Sequence, residues 1–216
     1  MTRAVIFDMD GVLLDTERVC LACWERAADE MGMPSVRALY RQCIGMNTAD
    51  TKALLRERGG EGFDADAFYA RTGELFHALE VAGGLALMPS VRACLDALAS
   101  AGFRLAVASS TRTENVRRQL TAAGIIDYFE TVTCGDTVAH AKPAPDIYLK
   151  SCASLALAPA DCVAVEDSPN GVRAAVAAGI RCVMVPDQIQ PDEDIRARAA
   201  AVLPGLAALP AYLTTL

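Results

Sequence analysis

Two aspartates, one residue apart, close the first apolar run of the chain, Val5-Ile6-Phe7-Asp8-Met9-Asp10-Gly11-Val12-Leu13-Leu14-Asp15-Thr16. A carboxylate at the tip of a buried strand is costly unless a cation or a reaction uses it. Gly11 follows at once and allows the backbone to approach a ligand closely. Two later apolar runs also end on polar residues, Ser109-Ser110-Thr111 and Glu166-Asp167-Ser168, and Lys142-Pro143 comes past the run between them. Together these residue types suit a metal-assisted phosphate site. A phosphate ester is an anion that repels nucleophiles, so a site must neutralise it before attack. Mg2+ binds through one or two carboxylates plus phosphate oxygens, and Asp8 and Asp167 can supply the carboxylates. Lys142 adds a point charge, while Ser109 and the backbone N–H groups before the next helix offer donors to phosphate oxygens. Asp8 can attack phosphorus as a carboxylate. Asp10 points to the same side if the backbone stays extended, where it can protonate the leaving oxygen and then activate water.

The elements that must position these groups follow from the hydrophobic pattern. Short, nearly continuous apolar runs at Ala4–Phe7, Arg104–Ala108, Thr131–Cys134, Cys162–Val165 and Cys182–Val185 predict strands buried on both faces. Helical patterns lie between them at Val91–Ala101, Thr113–Ala123, Pro145–Leu155 and Pro169–Ala178, and glycine follows three of these as a stop signal. The tail predicts a helix near Asp192–Ala200, an edge strand at Ala201–Leu203 and a last helix from Gly205. Such alternation predicts an α/β fold, a Rossmann-like parallel sheet with helices on both faces. Open sheets of this kind bind ligands beyond the C-terminal strand ends, where the polar residues fall.

Residues 17 to 85 break the alternation. They carry helical patterns at Glu17–Met31, Ser35–Gln42, Thr48–Arg58 and Asp64–Leu79, and no convincing strand. The expected organisation is a catalytic core of residues 1–15 and 86–216 with an inserted helical domain over 16–85, joined by two hinge-like crossings near Asp15-Thr16 and Gly83–Pro89.

The chain has 216 residues, is 53% hydrophobic and carries a net charge of −7. That composition predicts a packed globule, and the acidity argues against nucleic acid or an anionic membrane as partner. No apolar stretch reaches the length of a membrane span, and the N-terminus does not read as a secretory signal, so the expected location is the cytoplasm. Eight cysteines are present. Cys20 and Cys23 have C-x-x-C spacing, but no second pair or nearby histidine completes a zinc site, so all eight read as reduced thiols.

Asp8-Met9-Asp10-Gly11-Val12, Ala108-Ser109-Ser110, Lys142-Pro143-Ala144-Pro145-Asp146-Ile147-Tyr148 and Glu166-Asp167-Ser168-Pro169-Asn170-Gly171 occur in that order. The set resembles the haloacid dehalogenase-like superfamily, in the branch of phosphoglycolate phosphatases and β-phosphoglucomutase-like proteins, and the resemblance covers essentially the whole chain. It implies that Asp8 is the nucleophile and Asp10 the general acid and base. It also implies that Ser109 and Lys142 bind the transferring phosphoryl group, and Ser110 and Gly11 are further candidates for substrate contact. Mg2+ would be held by Asp8, the Asp10 carbonyl and Asp167, with Glu166 in direct contact or one layer behind. The inserted helices would be the cap that closes over the site, with Thr16, Asn47 and Arg71 reaching a small phosphorylated substrate. A capped member is by default a monomer.

Departures narrow the chemistry. The hexose-phosphate mutases of this branch carry a histidine four residues after the threonine matching Thr16, where this chain has Cys20. They also carry an arginine where Ile44-Gly45-Met46-Asn47-Thr48 offers none. The dehalogenases lack the second aspartate, which is present here as Asp10. The phosphonate-cleaving relatives need a cap lysine, and Lys52 stands in a stretch unlike theirs. The leading expectation is thus a Mg2+-dependent phosphatase acting on a sugar phosphate or a phosphoglycolate-like acid. A phosphosugar mutase is the alternative, and a silent binding domain a remote one. The silent domain predicts decay of Asp8, Asp10, Lys142 or Asp167, and none has decayed. Trp24 reads as cap packing, His77 as a cap surface residue, and Asp146 as a brace for the loop presenting Lys142.

Overall fold

The computed structural model describes residues 2–33, 36–44, 46, 48–60 and 62–215. Six strands form its sheet: β1 (Ala4–Phe7), β2 (Arg104–Ser109), β3 (Thr131–Cys134), β4 (Cys162–Glu166), β5 (Arg181–Met184) and β6 (Ala201–Val202). All pair in parallel, in the order β3-β2-β1-β4-β5-β6. Two strands run one residue beyond the apolar pattern, because the ladder is made by backbone groups whatever the side chain: Ser109 pairs with Cys134 and Glu166 with Met184.

Period-two alternation assigns β1 to two cores. Val5 and Phe7 pack against α5 (Val91–Ser100) and α6 (Thr113–Ala122) through Val91, Leu95, Leu98, Val116 and Leu120. Ala4 and Ile6 face α7 (Asp146–Ser154) and α8 (Pro169–Ala177), meeting Ile147, Tyr148, Cys152, Val172 and Ala175. The chain moves outward from β1 through β2 to β3, then crosses back to β4 on the far side of β1. The strand order therefore reverses between β1 and β4, and a crevice opens at their C-terminal ends.

Four helices lie between β1 and α5: α1 (Thr16–Glu30), α2 (Arg37–Cys43), α3 (Thr48–Arg58) and α4 (Ala65–Val81). They share an apolar cluster of their own that includes Val19, Trp24, Tyr40, Leu55, Phe68 and Leu75. Trp24 is buried at its centre, edge-on to Tyr40 and Phe68 with ring centroids 5.2 and 5.3 Å away. Pro34, Ser35, Gly45 and Asn47, which figured among the expected breaks, helix starts and contacts, lie outside the described residues. The two strands of chain joining these helices to the sheet run side by side: the Asp15 N–H donates to the Ala86 carbonyl (2.9 Å) and the Met88 N–H to that of Leu13 (3.0 Å). After β5 come α9 (Glu193–Arg198) and, beyond β6, α10 (Leu209–Leu213). Among the described residues, no helix is long and apolar enough to cross a membrane. All eight cysteines are free, seven of them buried and Cys20 half-buried.

Candidate active site

The polar strand ends meet in the β1/β4 crevice. Asp8 continues the pairing of β1 by one residue, its N–H donating to the Val165 carbonyl (2.9 Å). Lys142 reaches the crevice from the loop before α7 and is itself buried. Its ammonium donates to Asp8 Oδ1 (2.6 Å), Glu166 Oε1 (2.7 Å) and the Ala108 carbonyl (3.0 Å), filling all three donor positions. The loop that presents it is braced as expected: both the backbone N–H and the ring of His140 bond Asp146 Oδ1, at 3.0 and 2.8 Å.

Glu166 is wholly buried and fully occupied. Besides Lys142 it accepts from the Tyr148 hydroxyl (2.6 Å) and the Ser168 hydroxyl (3.3 Å). Gly171 makes room for it, since a Cβ there would stand 1.9–2.1 Å from the carboxylate atoms. Glu166 thus sits behind Lys142, away from the cavity that Asp8, Asp10, Lys142 and Asp167 line.

Asp10 is held by hydroxyls. Thr16 donates to Oδ1 (2.8 Å), while Ser109 (3.2 Å) and Thr111 (3.0 Å) donate to Oδ2. Ser109 is fully buried and also accepts from the Thr111 N–H (3.1 Å), so it orients Asp10 and caps the turn at once. Ser110 is half-buried and lines the cavity.

The donor set suits a hard divalent cation. Carboxylate oxygens of Asp8, Glu166 and Asp167 lie within 4.8 Å of one another. Burial pushes the Asp8 carboxyl well up, opposed in part by Lys142 and reinforced by Glu166 and Asp10. Burial pushes Asp167 up too, helped by the charges of Asp8 and Glu166. Among the described residues no donor reaches the Asp167 carboxylate. A buried, unpaired carboxylate facing a cavity is a group a cation would relieve. Gly11, at φ +73°, admits it: a Cβ at that position would lie 2.4 Å from Asp167 Oδ2.

Above this floor is a cavity of about 660 Å³, walled on its other side by α1–α4. Glu17 projects into it from the first turn of α1, half-buried, with the Tyr40 hydroxyl donating to its carboxylate. Burial raises the Glu17 carboxyl to about 7 against the opposing Tyr40 bond, and the Asp10 and Asp187 charges add to the rise. Neither Glu17 nor Tyr40 stood out in the sequence, where an acidic residue in a first helical turn reads as a dipole partner. Thr111 and Tyr148 were also missed as site residues, although Tyr148 lies inside one motif and Thr111 directly follows another.

Arg71, expected at the substrate, is turned away. It donates to Glu30 (2.6 and 3.2 Å) and Glu74 (2.9 Å) and does not line the cavity. Glu30 across the α1–α4 seam and Glu74 one turn along α4 hold the guanidinium with charge-assisted bonds. Asn47 lies outside the described residues. His77, expected on the surface, is exposed yet borders the cavity beside Glu80. Cys20 also lines it.

Sheet and site together define a doubly wound α/β protein with a carboxylate-rich, cation-competent centre at its topological switch point. The haloacid dehalogenase-like hydrolase family model matches residues 5–185, and the chain belongs to that family. Protein CbbY of Rhodobacter capsulatus is 35% identical over 210 residues, covering 90% of this chain and 90% of that protein. The phosphorylated carbohydrates phosphatase of Thermotoga maritima is 35% identical over 182 residues, 82% of each chain. The crystal structure of CbbY from Rhodobacter sphaeroides in complex with phosphate superposes with a TM-score of 0.81 at 31% identity, over 97% of this chain and 96% of that one.

Proposed function

We propose that this hydrolase is a Mg2+-dependent phosphatase of small phosphorylated metabolites, sugar phosphates or phosphoglycolate-like acids, working through a phosphoaspartyl intermediate on Asp8. The observation that carries the reading is the buried Lys142 between Asp8 and Glu166, with Asp167 open to the cavity beside them. Asp8, Asp167 and the Asp10 carbonyl are the groups to hold Mg2+, which when bound offsets the charge of the phosphate ester. Glu166 acts one layer behind, fixing Lys142. The relatives named as CbbY and as a carbohydrate phosphatase support a phosphorylated small molecule as substrate.

The Asp8 carboxylate oxygen bonds to phosphorus as the ester P–O bond breaks, and protonated Asp10 gives its proton to the leaving oxygen. Water then attacks phosphorus and loses a proton to Asp10. The bond to Asp8 breaks, releasing inorganic phosphate and restoring both side chains. The hydroxyls of Thr16, Ser109 and Thr111 keep Asp10 aimed at the reacting oxygen. Ser110 and the N–H groups ahead of α6 receive the phosphoryl oxygens, beside the charge of Lys142. Residues 16–85 act as a cap that moves about the paired crossings at 13–15 and 86–88 and excludes bulk water when closed. Cys20, standing where the mutases carry histidine, favours water over a sugar hydroxyl as final acceptor. The eight unpaired thiols fit a reducing cytoplasm.

The test is release of phosphate from an aryl phosphate by the full chain. Turnover should require Mg2+, stop on chelation and fall at least about a thousand-fold in Asp8→Asn. Undiminished turnover after chelation, or in Asp8→Asn, overturns the reading.

A further inference from the structure

The charges facing the cavity are lopsided. Among the described residues lining it, the permanent cations are Lys142, Arg112 and Arg118. Lys142 is taken by Asp8 and Glu166. Arg118 is taken by Glu80, which it grips with two bonds of 3.0 and 2.7 Å. Arg112 is exposed at the start of α6, on the sheet side of the cavity. Helices α1–α4 add no lysine or arginine to the described wall; their charged contributions are Glu17, Glu80 and, when protonated, His77.

Glu17 stands beside the turn that carries the reacting groups. Its Cγ is 3.4 Å from where a Cβ on Gly11 would lie, directly over the turn that carries Asp10. The Tyr40 hydroxyl bonds one carboxylate oxygen and also the Glu17 carbonyl (3.0 Å), so the side chain is fixed and the other oxygen is left to accept from a ligand. The rest of that wall is neutral, with the hydroxyls of Thr48, Thr51, Tyr69 and Thr72 and the rings of Trp24 and Phe76. Such a wall receives hydroxyl donors and opposes a second anion, which would meet a fixed carboxylate in a partly desolvated space with no free cation on the same side.

We propose that Glu17 sets the specificity of this site, accepting a hydroxyl from the alcohol part of the substrate and rejecting phosphate esters that carry a second negative charge beside the ester. The proposal rests on the phosphatase reading and narrows it, favouring monophosphates of neutral polyhydroxy compounds over phosphoglycolate-like acids.

A matched pair of substrates tests it. Glycerol 3-phosphate and 3-phosphoglycerate share a carbon skeleton and differ by a hydroxymethyl against a carboxylate. With the full chain and Mg2+ at pH 8, kcat/KM should favour glycerol 3-phosphate by at least about ten-fold, the effect of some 1.4 kcal/mol. Glu17→Gln keeps the size and an acceptor for Tyr40 but removes the charge, and should bring the ratio to within about three-fold of unity. Glu17→Ala should do the same. Because the ratio compares two substrates on one sample, it does not depend on how much of a variant is folded. A wild-type ratio at or below unity, or a ratio that both variants leave unchanged, overturns the proposal while aryl phosphate turnover persists. Loss of all phosphatase activity from the wild-type chain overturns the underlying reading and this proposal with it.

Discussion

Glu17 makes a second, purely thermodynamic prediction. Its carboxyl is raised from 4.5 to about 7 in the folded chain, chiefly by burial. A carboxyl with a raised folded value binds more protons in the native state than in the unfolded state between those two pH values. Stability therefore falls as pH rises from about 4.5 to about 7, and the full deficit persists above that. At about 1.4 kcal/mol per pH unit the shift corresponds to roughly 3 kcal/mol, and exposure toward the cavity trims this to about 2 kcal/mol. Glu17→Gln removes the charge and keeps an acceptor for Tyr40, so it should stabilise the metal-free chain by about 2 kcal/mol at pH 8. For a chain of this size that is about 4–8 °C in Tm. At pH 5, where the native carboxyl is protonated, the gain should shrink towards zero. Urea titrations of both proteins at pH 5 and pH 8, in chelator, measure the difference. A variant that is less stable at pH 8, or whose gain is the same at both pH values, would refute the argument that Glu17 is held in a charge-averse pocket.

Three further outcomes follow from the geometry. Lys142→Met should leave Asp8 and Glu166 buried without their shared cation, costing about 3–5 kcal/mol in urea denaturation and reducing aryl phosphate turnover to background; a variant of wild-type stability contradicts this. Gly11→Ala would push Asp167 away from a 2.4 Å clash and strain a φ of +73°, so the Mg2+ concentration for half-maximal turnover should rise at least ten-fold or so; an unchanged metal requirement argues that Asp167 does not hold the ion. Glu80→Gln weakens the ion pair joining α4 to α6, the sole one among the described residues between α1–α4 and the sheet with its flanking helices, and should raise KM and speed proteolysis around residues 81–89. Global stability should change by less than about 1 kcal/mol, because Arg118 is partly exposed.

The sheet was legible because most of its strands are nearly continuous apolar runs suited to burial on both faces, as the fully buried Ala4–Phe7 illustrates. The centre was legible for the complementary reason: Asp8, Lys142 and Asp167 are charged residues at places where burial has to be compensated. Groups that compensate others were harder to see. Thr111 and Tyr148 read as ordinary loop and core residues until their hydroxyls are seen on Asp10 and Glu166. The cavity wall of α1–α4 was hardest. A helical pattern gives the apolar face of each helix but not which polar residue looks across at another element. Arg71 was assigned to the substrate by resemblance to related caps, whereas its partner Glu30 is 41 residues distant in sequence. Glu17 was passed over because its significance depends on Tyr40, which comes from a different helix.

Under the proposed mechanism, a lysine and a divalent cation would share the charge at the centre. Asp8, Glu166 and Asp167 are all buried, and Lys142 is the one ammonium bonded among them. When every group is ionised an excess of two negative charges remains, which low-polarity surroundings do not tolerate. Burial first, and then the neighbouring carboxylates, push Asp8 and Asp167 up, and a protonated Asp8 is a poor nucleophile. Lys142 alone cannot correct it, because Glu166 shares the same ammonium. A divalent cation on the cavity side would restore neutrality at Asp8 and Asp167, and so keep Asp8 ionised beside an incoming phosphate. Glu166 then serves to keep Lys142 charged and fixed, which is why its own pocket is closed by Tyr148, Ser168 and the missing Cβ of Gly171.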